Sequence, residues 1–285
     1  MNEPWTVLRL LQWTAGYFRE RGIEGGRLDA ELLLAETLGL DRVGLYLNYD
    51  RPLNTEELGV YRERVARRGR REPLAYILGR TEFWSLPLSV TPAVLIPRPD
   101  TEVLVEEAVA RVADAATILD VGTGSGAIAL ALASELPAAT VTGVDVSPDA
   151  LAVAAENARL NDLSGRTSWR REDLAVLAGG PYDLVVSNPP YIPAAELAQL
   201  MPEVRDFEPR LALSGGEDGL DCYRHLARQA AELLRPGGWL LVEVGIGQQK
   251  SVRALWEQAG LAEIFERADY AGIVRVVGGR RPEQP

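Results

Sequence analysis

A doubly wound α/β sheet with mainly parallel strands, preceded by a small all-α domain and a β-hairpin connector, is the fold this sequence predicts. Three observations lead there. Apolar residues recur at helical spacing through the first 75 positions. Glu82 to Val90 then reads as extended, with Pro87 confining it to an edge or hairpin. From Thr117 onward, short continuous apolar runs alternate with helical stretches, the pattern of buried parallel strands joined by crossover helices.

Taken in order, Pro4 can occupy a first helical turn, and Trp5, Leu8, Leu11, Ala15 and Phe18 share one helix face until Gly22 stops the element. A second helix is expected over residues 28–38 with Gly39 as its cap, and a third starts at Asp41. Asn54 with Glu57 three residues on forms a capping box for a fourth. That helix carries Arg62, Arg64, Arg67, Arg68, Arg70 and Arg71, either a solvated face or a contact for an acidic partner. Residues 1–75 hold no Gly-rich loop or carboxylate pair, so this domain is expected to recognise or orient a substrate, or to serve as a packing cap.

Residues 76–98 are expected to form the hairpin connector and residues 99–285 the doubly wound α/β domain. Pro97 and Pro99 hold the backbone around Arg98 extended, which makes that segment a wall of the site or a structural joint. A helix follows over residues 101–112. Strands are expected at 117–121, 140–144, around Trp169, and at 182–186, 238–244, 263–265 and 273–277. Helices at 127–135, 148–160, 219–234 and 251–259 lie between them, and a short tail begins at Gly278.

Composition narrows the chemistry. Cys222 is the sole cysteine and His225 the sole histidine, which excludes disulfides and leaves almost nothing for thiolate zinc sites or His-based triads, so no metal is expected. Neither of the two is assigned a role. No run approaches the roughly 18 apolar residues of a membrane span, and the first residues lack a basic start followed by an apolar core, so a cytoplasmic location is expected. The net charge is -11, and because residues 1–75 hold 12 basic and 12 acidic side chains, the whole excess lies in the remainder. That balance argues against a duplex-binding enzyme with a broad basic face.

The segment Ser187-Asn188-Pro189-Pro190-Tyr191-Ile192 follows a buried apolar run and therefore sits past the carboxyl end of a strand, where open α/β sheets bind ligands. Two consecutive prolines lack N–H groups and fix their own φ, which leaves the carbonyls of Asn188 and Pro189 aimed outward. With the Asn188 side-chain oxygen and the Tyr191 ring, they form an acceptor site for a planar NH2 group, an amide or an exocyclic amine. The alternative is a Pro-Pro turn that merely ends a strand.

Asp120-Val-Gly122-Thr-Gly124-Ser-Gly126 joins the first strand of the sheet to its helix. Its spacing differs from the dinucleotide fingerprint. Asp145, at the end of the next strand, is placed to accept both hydroxyl protons of a ribose, and Asp173 past the third strand could accept from an adenine amine. Carboxylates around the loop suit a positively charged sulfonium and would repel a pyrophosphate, which points to S-adenosylmethionine.

These residues resemble the seven-stranded class I methyltransferases. More narrowly, residues 73–79, 97–102, 188–191, 208–213, 216–219, 236–238 and 243–245 resemble the peptide-chain release factor glutamine N5-methyltransferases, over nearly the whole chain. The resemblance implies methylation of the glutamine side-chain nitrogen in the Gly-Gly-Gln motif of class I release factors, by a monomer without direct contact to nucleic acid or membrane. It implies Asn188, Pro189, Pro190 and Tyr191 as the catalytic segment, with Arg98 and Glu102 also facing the substrate. It implies cofactor contacts from Asp120, Gly122, Thr123, Gly124, Ser125, Gly126, Asp145, Asp173, Leu174 and Asn188. Asp100 stands where glutamate is more often expected, a change that keeps the charge. A sibling family that methylates a ribosomal protein, and the adenine N6-methyltransferases of nucleic acids, share parts of the pattern; a non-catalytic scaffold is a third alternative.

Overall fold

The computed structural model of the chain describes residues 4–283. The outer ends of the two expected terminal domains, residues 1–3 and 284–285, lie outside the described residues. Two compact units are present: a helical unit that runs to Gly79 and also takes in Pro202–Phe207, and a sheet unit made of Arg80–Met201 and the chain from Glu208 onward.

In the helical unit, α1 (Val7–Glu20) starts where the Thr6 hydroxyl accepts the Arg9 N–H, three residues beyond Pro4. The next helix, α2 (Gly26–Leu38), runs from Gly25 to Gly39, both left-handed, and so begins two residues before the expected start. A Cβ on Gly26 would lie 2.7 Å from the Phe18 Cβ, so the close approach of α1 and α2 requires glycine there. Asp41 caps α3 (Arg42–Leu47), and Asn54 and Glu57 exchange the reciprocal bonds of a capping box at α4 (Thr55–Gly69). Residues 76–79, expected in the connector, instead continue this unit, because Leu74–Leu78 forms α5 and Ile77 packs into the core with Phe18, Leu33, Leu34 and Tyr61.

Much of the arginine cluster is committed internally. Arg67 pairs with Glu72, Arg68 with Asp29 and Glu203, Arg71 with Glu203 and the carbonyls of Arg21 and Gly22, and Arg64 with the Thr37 hydroxyl. Those side chains tie the helices and residues 202–207 together; they do not form a free acidic-partner surface.

The sheet unit opens with a hairpin of β1 (Arg80–Phe83) and β2 (Leu86–Ser89). Then follow α6 (Glu102–Val109), β3 (Thr117–Val121), α7 (Ala127–Glu135), β4 (Thr140–Asp145), α8 (Pro148–Leu160), β5 (Thr167–Arg171) and β6 (Tyr182–Ser187). After the single turn α9 (Pro202–Arg205) of the helical unit come α10 (Asp221–Leu233), β7 (Leu234–Glu243), α11 (Gln249–Gln258), β8 (Ala262–Ala268) and β9 (Val274–Arg280). The final strand extends to Arg280, so Gly278 pairs with Leu241 and does not begin a tail.

The seven strands are ordered β5-β4-β3-β6-β7-β9-β8, with β9 antiparallel to both of its neighbours and the remaining pairs parallel. Burial explains the composition: every residue of β6 and all but the first of β3 are buried, so neither strand alternates polar and apolar positions. From β3 the chain winds outward through β4 and β5, then returns to β6 on the other side of β3. This reversal opens a crevice at the carboxyl ends of β3, β4 and β6.

Candidate active site

The crevice is a cleft of about 410 Å³. Gly122 and Gly124 of the loop after β3, Asp145 at the end of β4, Asp173 and Leu174 after β5, and Asn188, Pro189 and Pro190 after β6 all line it. Residues scattered over nearly 70 positions meet because parallel strands deliver their carboxyl ends to one edge.

At the loop, φ is +70° for Gly122 and +54° for Gly124, and a Cβ on Gly122 would enter open space. The bare backbone is thus the surface a ligand meets. Asp145 ties the loop down: Oδ2 accepts the Gly124 N–H at 3.0 Å and Oδ1 the Ser147 N–H at 2.9 Å. Each oxygen can accept one further hydrogen bond and Asp145 lines the cleft, which suits two vicinal hydroxyls. Asp173 is exposed, with Oδ1 accepting the Ala175 N–H at 2.8 Å.

Four of the expected cofactor residues lie behind the loop and do not line the cleft. Asp120 is wholly buried, and its Oδ2 accepts from Thr123 Oγ1 at 2.6 Å and from the Ala129 N–H at 3.2 Å, so Asp120 and Thr123 hold the turn in shape. Burial, with Asp145 nearby, pushes the Asp120 carboxyl up to about 7, and its Oδ1 is buried without a partner. Ser125 is buried and its carbonyl accepts from Asn157, while Gly126 packs against Trp169 and Ala154.

The acceptor segment is held from several directions. Ser187 Oγ donates to the Val121 carbonyl at 2.7 Å, joining the ends of β6 and β3. The Ile192 N–H donates to the Leu213 carbonyl and the Ile192 carbonyl accepts from Gly215. A Cβ on Gly215 would come within 2.8 Å of the Pro190 and Gly219 carbonyls, so only glycine fits. Gln248 Nε2 donates to the Tyr191 carbonyl at 2.8 Å. Among the described residues, no backbone N–H donates to the Pro189 carbonyl.

Asn188 is oriented by neighbours from segments 97–102 and 243–245, to whose Thr101 and Glu243 the sequence assigned no role. Its Nδ2 donates to Thr101 Oγ1 at 3.2 Å, and Thr101 Oγ1 donates to Glu243 Oε2 at 2.6 Å. Burial pushes the Glu243 carboxyl up to about 7, against the Thr101 hydrogen bond, Arg275 and the Asn188 amide, which all favour its charge.

Three of the expected site residues make other contacts in the structure. Glu102 does not face the cleft: its Oε1 accepts the Trp84 N–H at 3.0 Å, securing a hairpin turn in which Trp84 and Ser85 both have positive φ. Arg98 is bound through Nη2 to both oxygens of the buried Glu208, at 2.8 and 2.6 Å, so its charge is already countered. Tyr191 is half-buried over Gly245 and against the core beside β7 and α10, outside the cleft lining; burial pushes its phenol up to about 12. Conversely, Cys222 and His225, assigned nothing from the sequence, both line the cleft, and burial pushes the thiol up to about 11. Their spacing of one helical turn on α10 was the available signal.

Among the described residues, no cluster of His, Cys, Asp and Glu is arranged to hold a metal ion, and no helix is long and apolar enough to cross a membrane. The cleft thus offers a ligand open glycine backbone and the carboxylate of Asp145, a set suited to a cationic nucleoside without phosphates.

Residues 9–79 match the PrmC N-terminal domain family and residues 99–202 the Methyltransferase small domain family. A Geobacter sulfurreducens protein named release factor glutamine methyltransferase is 54% identical over 278 residues, 98% of each chain. One of the same name from Chlorobaculum tepidum is 46% identical over 286 residues, 96% of this chain and 97% of the other. A methyltransferase from Pyrococcus furiosus shares the fold, with a TM-score of 0.54 at 16% identity over 69% of this chain and 89% of that one. The chain belongs to the release factor glutamine methyltransferase family.

Proposed function

We propose that this chain methylates the side-chain amide nitrogen of the glutamine in the Gly-Gly-Gln motif of class I peptide-chain release factors, with S-adenosylmethionine as donor. It acts as a cytoplasmic monomer without direct nucleic-acid contact, and the helical unit recognises the substrate. Bound in the cleft, the cofactor supplies an electrophilic sulfonium methyl group. Gly122 and Gly124 receive it against bare backbone, and Asp145 accepts from its ribose hydroxyls.

The substrate amide is held by acceptors. Asn188 Oδ1 and the Pro189 carbonyl each take one amide hydrogen, which fixes the nitrogen and favours the positive charge that develops on it during attack. An amide nitrogen is a weak nucleophile, but orientation within the site lowers much of the barrier, so no strong base is needed. The nitrogen then releases one proton to water. The observation that carries this reading is the Asn188 amide, whose nitrogen end is held by Thr101, next to a Pro189 carbonyl that accepts no backbone N–H among the described residues, at the edge of the same cleft as Asp145.

Transfer of labelled methyl from S-adenosylmethionine to purified release factor tests it, run beside a Gly-Gly-Ala version of the factor, a ribosomal protein pool and duplex DNA. Label on the intact factor alone is the expected result. Label on the ribosomal pool or on DNA instead would move the substrate elsewhere.

A further inference from the structure

We propose that Thr101 and Glu243 are positioning residues for methyl transfer: they polarise a buried hydrogen-bond chain so that Asn188 presents its oxygen, and not its nitrogen, to the substrate amide. This rests on the reading of Asn188 given above. An asparagine amide has nearly the same shape at both ends, yet only the oxygen can accept an N–H. A flipped Asn188 would set NH2 against NH2.

Two hydrogen bonds, together with the direct interaction of the Asn188 amide with Glu243, decide which end faces inward. Thr101 Oγ1 lies 2.6 Å from Glu243 Oε2, and Asn188 Nδ2 lies 3.2 Å from Thr101 Oγ1. An ionised carboxylate can only accept, so the single Thr101 hydroxyl proton is committed to it. The threonine oxygen then has only lone pairs to offer, and the donor end of Asn188 is the end that fits. Thr101 and Glu243 are 5% and 3% exposed, which leaves little water to relieve the opposite arrangement.

Protonation of Glu243 removes this polarity. The carboxyl could then donate to Thr101, whose own proton becomes free for Asn188 Oδ1. The charged and titratable groups around Glu243 come from five parts of the chain. Arg275 on β9 pairs with Asp100, ahead of α6, at 2.7 Å and with Asp269 at 2.9 Å. Tyr191, after β6, senses Glu243, and the Tyr223 hydroxyl on α10 donates to the Glu243 main-chain carbonyl at 3.0 Å. With Arg275 shared between two other carboxylates, burial dominates and places the Glu243 titration at about 7, inside the range of an ordinary assay.

The experiment compares wild type, Thr101→Val, Thr101→Ser, Glu243→Gln and Asn188→Ala by methyl transfer to purified release factor, by calorimetric affinity for S-adenosylmethionine and by thermal unfolding. Thr101→Val should lower kcat about 10- to 100-fold while cofactor affinity stays within about threefold, because the lost bond acts on the substrate acceptor. Thr101→Ser keeps the hydroxyl and should recover most of that loss. Wild-type kcat/KM should fall as pH drops through about 7. Glu243→Gln retains an acceptor oxygen, so it should turn over measurably and lack this acid limb. Full turnover in Thr101→Val, equal damage in Thr101→Ser, or an unchanged acid limb in Glu243→Gln would each overturn the proposal. If Asn188→Ala abolishes transfer while Thr101→Val does not, this inference alone fails; if Asn188→Ala keeps full turnover, the acceptor reading itself falls, and this inference with it.

Discussion

Gln248 reaches back from the start of α11 to the carbonyl of Tyr191, 57 residues earlier, with Nε2 at 2.8 Å, while its Oε1 accepts the Gly245 N–H at 3.0 Å. One side chain thus ties the end of the Asn-Pro-Pro-Tyr segment to the turn after β7. It also donates to the Gly219 carbonyl at 3.3 Å. Gln248→Ala leaves these partly buried groups unpaired and should cost on the order of 1–3 kcal/mol of stability. Urea unfolding would measure that loss. Turnover should fall by a larger factor than cofactor affinity does, because Gln248 lies outside the cleft lining.

Asn188→Ala and Asp145→Ala should separate substrate from cofactor. Removing the Asn188 acceptor should lower kcat by about 10²–10³, comparable to loss of one charge-stabilising group in an acyl-transfer site, with cofactor affinity within a few-fold. Asp145→Ala should instead weaken S-adenosylmethionine binding by roughly 1–3 kcal/mol, the cost of unpaired buried hydroxyls. Calorimetry of both variants decides it: unchanged affinity in Asp145→Ala would remove the ribose role.

Gly215→Ala places a methyl group 2.7 Å from the Pro190 carbonyl and 2.8 Å from both the Gly219 carbonyl and the Tyr191 Cα. All three are backbone atoms, so no side chain can move aside. The variant should lose methyl transfer even where it still folds and binds cofactor, since the acceptor segment must shift. Retention of wild-type kcat would show that the segment tolerates displacement.

Asp120 gives a pH dependence whose sign follows from its raised carboxyl, at about 7 instead of 3.8. The folded state holds the proton more tightly than the unfolded chain does. The stability this contributes is fully present below pH 3.8 and is lost as pH rises through about 7. Other carboxylates, such as Asp206, Asp218 and Asp269, are held below their ordinary values by arginines and act in the opposite direction. The clean measurement is therefore the stability of Asp120→Asn minus that of wild type at pH 5 and at pH 8. Asp120→Asn should gain relative to wild type at the higher pH, and a difference that does not change with pH would contradict the assignment.

The sequence by itself determined what short-range physics controls. Apolar runs marked β3, β4 and β6, Asn54 and Glu57 marked the start of α4, the glycine pattern located the loop after β3, and paired prolines marked a rigid acceptor segment past β6. Each signal lies within a few residues of its consequence, because capping, φ restriction and strand burial act over about one turn or one strand. Only the tertiary structure decided which side chains each of these meets. Thr101 and Glu243 are 142 residues apart and Arg98 and Glu208 are 110 apart, so no local pattern couples them. The turn at Trp84 claims Glu102, and the packing of α10 brings Cys222 and His225 to the cleft. Asp120 belongs to both levels: its place in the motif was legible, but its full burial behind the loop, where it supports the turn through Thr123, depended on β3 being covered on both faces.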